Sequence, residues 1–191
     1  MEKTGKHQNK YWAEYYKNNN ANKLASPFCK FICDNLDLKN KKILELCSGD
    51  GRDTYNLAKH CKHITAVDYA TKPENSTNAF FNQARIEDFL QDLDSKSYDF
   101  VYCRFGLHSV TEKVEDLILD FCNKIVFEFR SDKDDSFEKD HYRRTINGNR
   151  FIEKLINKNY EISYFIESNK LAVFASQDPM IIRVIASKKE L

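Results

Sequence analysis

Glycine is scarce in this chain. There are five in 191 residues, where an average composition near 7% would supply about thirteen. Long hydrophobic runs are missing too. The best, Leu171–Ala175, falls far short of the roughly 18 residues that a membrane span needs. No charge excess exists either: 30 Lys+Arg stand against 29 Asp+Glu, a formal net charge of +1. That balance argues against wholesale steering to nucleic acid, which calls for a strongly basic face. The opening MEKTGKHQNK has no apolar core of the kind a secretory signal carries, so a cytoplasmic location is expected. Cysteines are present, at 29, 33, 47, 61, 103 and 122, but never as Cys-x-x-Cys. Without a secretory context they read as reduced, mostly buried thiols. His60-Cys61-Lys62-His63 lacks a second ligand pair at finger spacing, so no metal site is expected.

What is present is enough to fold. Hydrophobic residues make up 41% of the chain, with 14 Phe and 10 Tyr, which excludes global disorder. At roughly 100–200 residues per domain, one domain is the simplest reading. Residues 1–40 read as a helical lid or cap segment and 41–191 as the main domain. Tyr11, Trp12, Tyr15 and Tyr16 line one helical face, and Asn18-Asn19-Asn20 breaks that segment. Ser26-Pro27 starts a second helix, with Phe28, Phe31, Ile32 and Leu36 as its apolar stripe.

After Lys42 the period shortens. Ile43–Cys47, His63–Asp68, Ala79–Phe81, Tyr98–Cys103 and Lys124–Arg130 read as strands. Helices are expected at Arg52–His60, after a capping box at Ser109-Val-Thr-Glu112, and around Phe151–Ile156. Alternating strands and helices predict an α/β sheet, mostly parallel, with helices on both faces. Glu161–Glu167 and Met180–Ser187 have too short a connection for a crossover helix, so they are expected to pair antiparallel. Neither a repeat, a low-complexity tract nor a linker interrupts the chain.

Two of the five glycines, Gly49 and Gly51, fall within three residues, directly after the first strand. A strand, close glycines and a helix place backbone N–H groups at the carboxyl edge of a sheet, a cradle for a nucleotide-like ligand. Asp68 ends the second strand, placed to accept from two ribose hydroxyls. Asp88 follows the third, within reach of an adenine amino group. A dinucleotide site prefers a third glycine where Thr54 stands. Glu45, four residues before Gly49, suits an ammonium group and would repel a pyrophosphate. The pattern favours S-adenosylmethionine over NAD.

The chain resembles small class I S-adenosylmethionine-dependent methyltransferases of the compact bacterial type, the tellurite-resistance-like and surface-polysaccharide methyltransferases. The resemblance runs from Tyr11–Tyr16 through Glu45–Asp53, Asp68, Glu87-Asp88-Phe89 and Tyr102–His108 to the final strand. It implies a Rossmann-like sheet with an antiparallel C-terminal strand, and S-adenosylmethionine as cofactor. It further implies that Glu45, Gly49 and Gly51 hold the methionine moiety, Asp68 the ribose, and Ile86 with Glu87 or Asp88 the adenine. Tyr11, Tyr15, Cys47, Asp53, Tyr69 and Cys103 complete the expected cofactor contacts. The chain departs from the pattern at Cys47, where the family has its first motif glycine.

The acceptor side lies after the fourth and fifth strands. His108 is a candidate general base there, joined by His141 and Tyr142. Only eight of the thirty basic residues are arginine, which makes Asp140-His-Tyr-Arg-Arg144 conspicuous. Guanidinium forks bind phosphate or carboxylate in a way that lysine cannot copy. Arg104, Arg130, Arg143 and Arg144 are therefore the expected contacts to a small anionic acceptor, such as a phosphorylated or nucleotide-linked sugar undergoing O-methylation. A macromolecular acceptor, RNA or protein, is the second reading, opposed by the balanced charge. A non-catalytic cofactor-binding subunit is the third. The oligomeric state is not legible.

Overall fold

The computed structural model describes residues 5–18, 24–134, 142–173 and 177–189, with the side chains of residues 5–8 left aside. Seven strands form one sheet: β1 (Lys42–Leu46), β2 (His63–Asp68), β3 (Ala79–Gln83), β4 (Phe100–Arg104), β5 (Lys124–Arg130), β6 (Tyr160–Ser168) and β7 (Ile181–Lys188). Their order is β3-β2-β1-β4-β5-β7-β6. The first five are parallel, β7 runs antiparallel to β5, and β6 pairs antiparallel with β7. This is the expected Rossmann-like α/β sheet with its antiparallel C-terminal strand.

Helices cover both faces, because the central strands are apolar on both. Ile43, Ile64, Ala66 and Tyr102 pack under α2 (Pro27–Asn35) and α3 (Arg52–Leu57). Leu44, Leu46, Val101, Cys103 and Phe127 pack under α4 (Ile86–Leu90), α5 (Glu112–Phe121) and α6 (Gly148–Asn157). Helix α1 (Gly5–Asn18) carries the aromatic residues at 11, 12, 15 and 16, whose rings contact one another.

Local chemistry sets the helix starts. Ser26 caps α2 as expected, its hydroxyl accepting from Cys29 N–H at 3.0 Å, with Pro27 in the first turn. The cap of α5 is Thr111 rather than the expected Ser109: Thr111 accepts from Val114 N–H, while Ser109 ends a single 3-10 turn. The connection from β2 to β3, residues 69–78, carries no helix. Its backbone is pinned instead by side chains: Tyr55 O–H donates to the Glu74 carbonyl and Asn75 accepts from Phe81 N–H.

Candidate active site at the carboxyl edge of the sheet

The strand order reverses between β1 and β4, which opens a crevice at their carboxyl ends. The loop leaving β1 enters it through three residues with left-handed backbone, Cys47 (φ +58°), Gly49 (φ +57°) and Gly51 (φ +78°). Gly51 stands at the N-terminal boundary of α3, and its N–H is bonded to the Ser48 carbonyl. Cys47 adopts the conformation that glycine favours, so the departure from the motif changes the side chain and keeps the turn. Gly106 makes room for that side chain. A Cβ at Gly106 would lie 2.5 Å from both Cβ and Sγ of Cys47, and 2.7 Å from the Cys103 sulfur.

Asp68 ends β2 beside this loop. Its Oδ2 accepts from Gly49 N–H at 2.9 Å, and Oδ1 accepts from Ala70 and Thr71 N–H at 2.8 and 3.2 Å. Burial pushes its carboxyl upward, and those three N–H groups pull it back. A carboxylate offers about four lone-pair sites, so most of Asp68 is occupied in shaping the loop. Thr71 O–H closes the same circuit on the Gly49 carbonyl.

The ring of Tyr16 lies on Gly49, where a Cβ would come within 2.4 Å of it. Burial, with the charges of Asp68 and Asp50, holds the Tyr16 hydroxyl well above its ordinary value. The expected aromatic contacts were Tyr11 and Tyr15, yet Tyr15 is 40% exposed and Tyr16 is the one on the loop. The spacing identifies the aromatic face but not which ring lands on the turn, since that depends on how α1 docks. Asn9 Nδ2 donates to the Tyr69 carbonyl at 3.3 Å and fixes the other end of that helix.

Glu45 sits behind the loop, 3% exposed, and accepts from Thr54 Oγ1 at 2.6 Å. Burial first, and Asp53 second, raise its carboxyl well above the usual range. Asp53 is not a cofactor contact. It points into the protein, where Oδ1 accepts from Ser26 N–H at 2.8 Å and Oδ2 accepts from Ser26 Oγ and Tyr102 O–H at 2.6 and 2.8 Å. A carboxylate so enclosed is a tie between α2, α3 and β4. On the adenine side, Ile86 is buried, Asp88 is exposed, and Glu87 pairs with Arg85 at 3.4 Å. The Arg85 guanidinium lies 5.4 Å from the Tyr69 ring centre, forming one wall. Cys103 is buried beneath the loop.

The acceptor side differs more from expectation. His108 is 2% exposed and its Nδ1 accepts from Arg130 N–H at 3.2 Å. In the neutral ring Nε2 then carries the proton, leaving no lone pair for a general base. The bond ties the turn after β4 to the end of β5 and engages the Nδ1 lone pair, which differs from the expected free base. Arg144 is equally committed: Nε donates to the Val110 carbonyl at 2.9 Å, Nη2 donates to the Leu107 carbonyl at 3.1 Å and contacts Glu115. This arginine clamps the loop between β4 and α5 and is not a substrate contact. Arg130 Nη1 is paired with Asp134 at 2.7 Å. Tyr142 and Arg143 are half-buried on the segment that runs to the β-bridge between Ser131 and Ile146. His141 lies outside the described residues. Arg104 stands at the end of β4, its Nε on Glu128 at 2.9 Å.

The left-handed turn after β1, the acid at the end of β2 and the apolar wall at Ile86 fit S-adenosylmethionine. Residues 44–123, from β1 through α5, match the family described as a methyltransferase domain. No curated protein matches the chain. Solved structures share the fold. An S-adenosylmethionine-dependent methyltransferase from Clostridium acetobutylicum superposes with a TM-score of 0.63 at 14% identity, covering 96% of this chain and 99% of its own. DhpI, solved with SAH, gives 0.65 at 16% identity, covering 95% of each chain. The 1,6-didemethyltoxoflavin-N1-methyltransferase of Burkholderia thailandensis, solved with its acceptor and S-adenosylhomocysteine, gives 0.65 at 13% identity, covering 86% of this chain and 77% of its own. The shared fold, the match of residues 44–123 to a methyltransferase domain and the geometry of the loop together support S-adenosylmethionine-dependent methyl transfer on a class I sheet.

Proposed function

We propose that the acceptor is a small anionic molecule, a phosphorylated or nucleotide-linked sugar methylated on oxygen, as in surface-polysaccharide methyltransferases. The cofactor supplies an electrophilic methyl group on a sulfonium, and the protein's task is to align an acceptor oxygen with it. The observation that carries this reading is the concentration of arginine at the acceptor edge. Arg104 ends β4, Arg130 ends β5, and Arg143 follows on the segment bridged to Ser131. Three of the chain's eight arginines thus stand at one edge of the sheet, apart from Arg144, which clamps the loop before α5. A net charge of +1 speaks against RNA, whose binding requires a broad basic surface.

The test is a screen of phosphorylated, nucleotide-linked and neutral sugars, with methyl transfer read as S-adenosylhomocysteine formation and product mass. Turnover confined to the phosphorylated and nucleotide-linked sugars is the expected result. Equal turnover on neutral sugars, or methylation of RNA or protein in preference to all of them, overturns the anionic small-molecule acceptor.

A further inference from the structure

Three neighbouring strands carry charge at one level of the sheet. Arg104 of β4 stands opposite Glu128 of β5, and Glu128 opposite Arg183 of β7. Glu128 is fully buried between them. Its Oε1 accepts from Arg104 Nε at 2.9 Å and its Oε2 from Arg183 Nε at 2.7 Å. Burial raises its carboxyl above the usual range, and the two guanidinium groups pull it back only in part. One carboxylate therefore serves two fixed positive charges, and the row as a whole carries one in excess.

The two arginines are not equivalent. Arg183 lies over the rings of Phe28 and Phe31, at 5.3 and 5.2 Å from their centres, and its Nη2 donates to the Leu171 carbonyl at 2.9 Å. Arg104 has only Nε bonded among the described residues. The Phe105 ring flanks its guanidinium at 4.2 Å, and the side chain keeps 17% exposure. Its Nη1 and Nη2 make no hydrogen bond among the described residues, and the Nε bond to Glu128 sets the plane of the fork. Asp53 acts on it at longer range, but both Asp53 oxygens are already bonded to Ser26 and Tyr102. The end of β4 adjoins the end of β1, where the cofactor loop begins, through the Leu46–Cys103 register pair.

We infer that Arg104, rather than Arg144, holds the oxyanion of the acceptor, a phosphate, through Nη1 and Nη2, with Glu128 and Arg183 as positioning residues. The inference rests on the anionic-acceptor reading for its biological meaning, though the anion site itself can be measured without turnover. A guanidinium whose Nε is anchored loses little freedom on binding, and its fork matches two oxygens of phosphate in a way that an ammonium cannot.

The test uses the full chain, loaded with S-adenosylhomocysteine, in wild-type, Arg104→Lys and Arg104→Gln forms, with inorganic phosphate as probe and acetate and chloride as comparison anions. Binding is read by thermal shift and by calorimetric competition, beside KM for a hexose phosphate. Arg104→Lys keeps a charge beside Glu128 and guards against a folding failure of the glutamine form. Phosphate binding and 1/KM should fall about ten- to a hundredfold in either variant, the range expected for lost charge-assisted hydrogen bonds, with S-adenosylhomocysteine affinity unchanged within about twofold. Preference for acetate over phosphate in the wild type overturns the phosphate assignment. Phosphate binding by Arg104→Lys at wild-type strength, or loss of S-adenosylhomocysteine affinity in both variants, overturns the placement of Arg104 on the acceptor. If phosphate binds through Arg104 but no sugar phosphate is methylated, the acceptor reading fails and the anion site stands.

Discussion

Cys47 shows how a departure from a motif is absorbed. Its backbone takes the left-handed turn, and the space for its side chain is provided by a different glycine, Gly106. Gly106→Ala should therefore destabilise the fold by about 1–3 kcal/mol, the usual cost of overpacking. Part of that should return in Cys47→Gly/Gly106→Ala, because two of the three closest contacts belong to Cys47 and the third, Cys103 Sγ, remains. Urea unfolding of the four forms measures the coupling, and strict additivity would sink the argument. Glu45 gives a pH-dependent counterpart. Its carboxyl is raised by burial and by Asp53, so the native state holds a proton that the unfolded chain releases near the ordinary glutamate value of about 4.3. Its contribution is then fully present below that value and declines as pH rises toward the raised native one. Glu45→Gln removes the titration and keeps an oxygen for Thr54. Its stability relative to wild type should climb with pH above about 4.3, as read from urea midpoints in a pH series. A constant difference would show that Glu45 is charged in the native protein.

At the scale of elements, the sequence is most readable where a local rule agrees with burial. Lys124–Arg130 is a strand in both readings because its apolar residues, Ile125, Val126, Phe127 and Phe129, are all β-branched or aromatic. Ser26-Pro27 starts α2 because cap and proline coincide there. The start of α5 slips by two residues, since Ser109 and Thr111 both offer a hydroxyl and only the fold decides which is used. In the candidate site the loop and Asp68 are legible, because glycine scarcity and strand-end acids are local signals. The roles of Asp53, His108 and Arg144 are not, because each is set by partners far along the chain: Asp53 by Ser26 and Tyr102, His108 by Arg130, Arg144 by Leu107, Val110 and Glu115. The Arg144 clamp is testable as an element-level tie. Arg144→Lys should cost about 1.5–3 kcal/mol of stability, the value of hydrogen bonds to a charged donor, although charge is kept. Acceptor KM should change much less than in Arg104→Lys. A variant as stable as wild type would return Arg144 to the acceptor.

On the scale of the whole molecule, the strand order reverses between β1 and β4. The β3-β2-β1 wing carries the candidate cofactor loop, while β4, β5 and β7 carry the buried charge row from which the proposed acceptor contact projects. Helix α1 lies across the candidate cofactor loop, held by Tyr16 on Gly49 and by Asn9 on the Tyr69 carbonyl. It adds no strand to the sheet, and among the described residues the fully buried core begins at Phe28. Its removal should therefore leave the unfolding midpoint of the main domain nearly unchanged and alter instead the traffic of the cofactor. A chain beginning at residue 24 should bind and release S-adenosylhomocysteine faster, each rate rising together, because the ring over Gly49 no longer has to move aside. Tyr16→Ala should reproduce the faster association without the loss of the helix. Stopped-flow fluorescence of the ligand-bound and free forms gives both rate constants directly. Unchanged association in the truncated chain and in Tyr16→Ala would mean that ligand enters by another path. A collapse of the unfolding midpoint on truncation would make α1 part of the core rather than its cover.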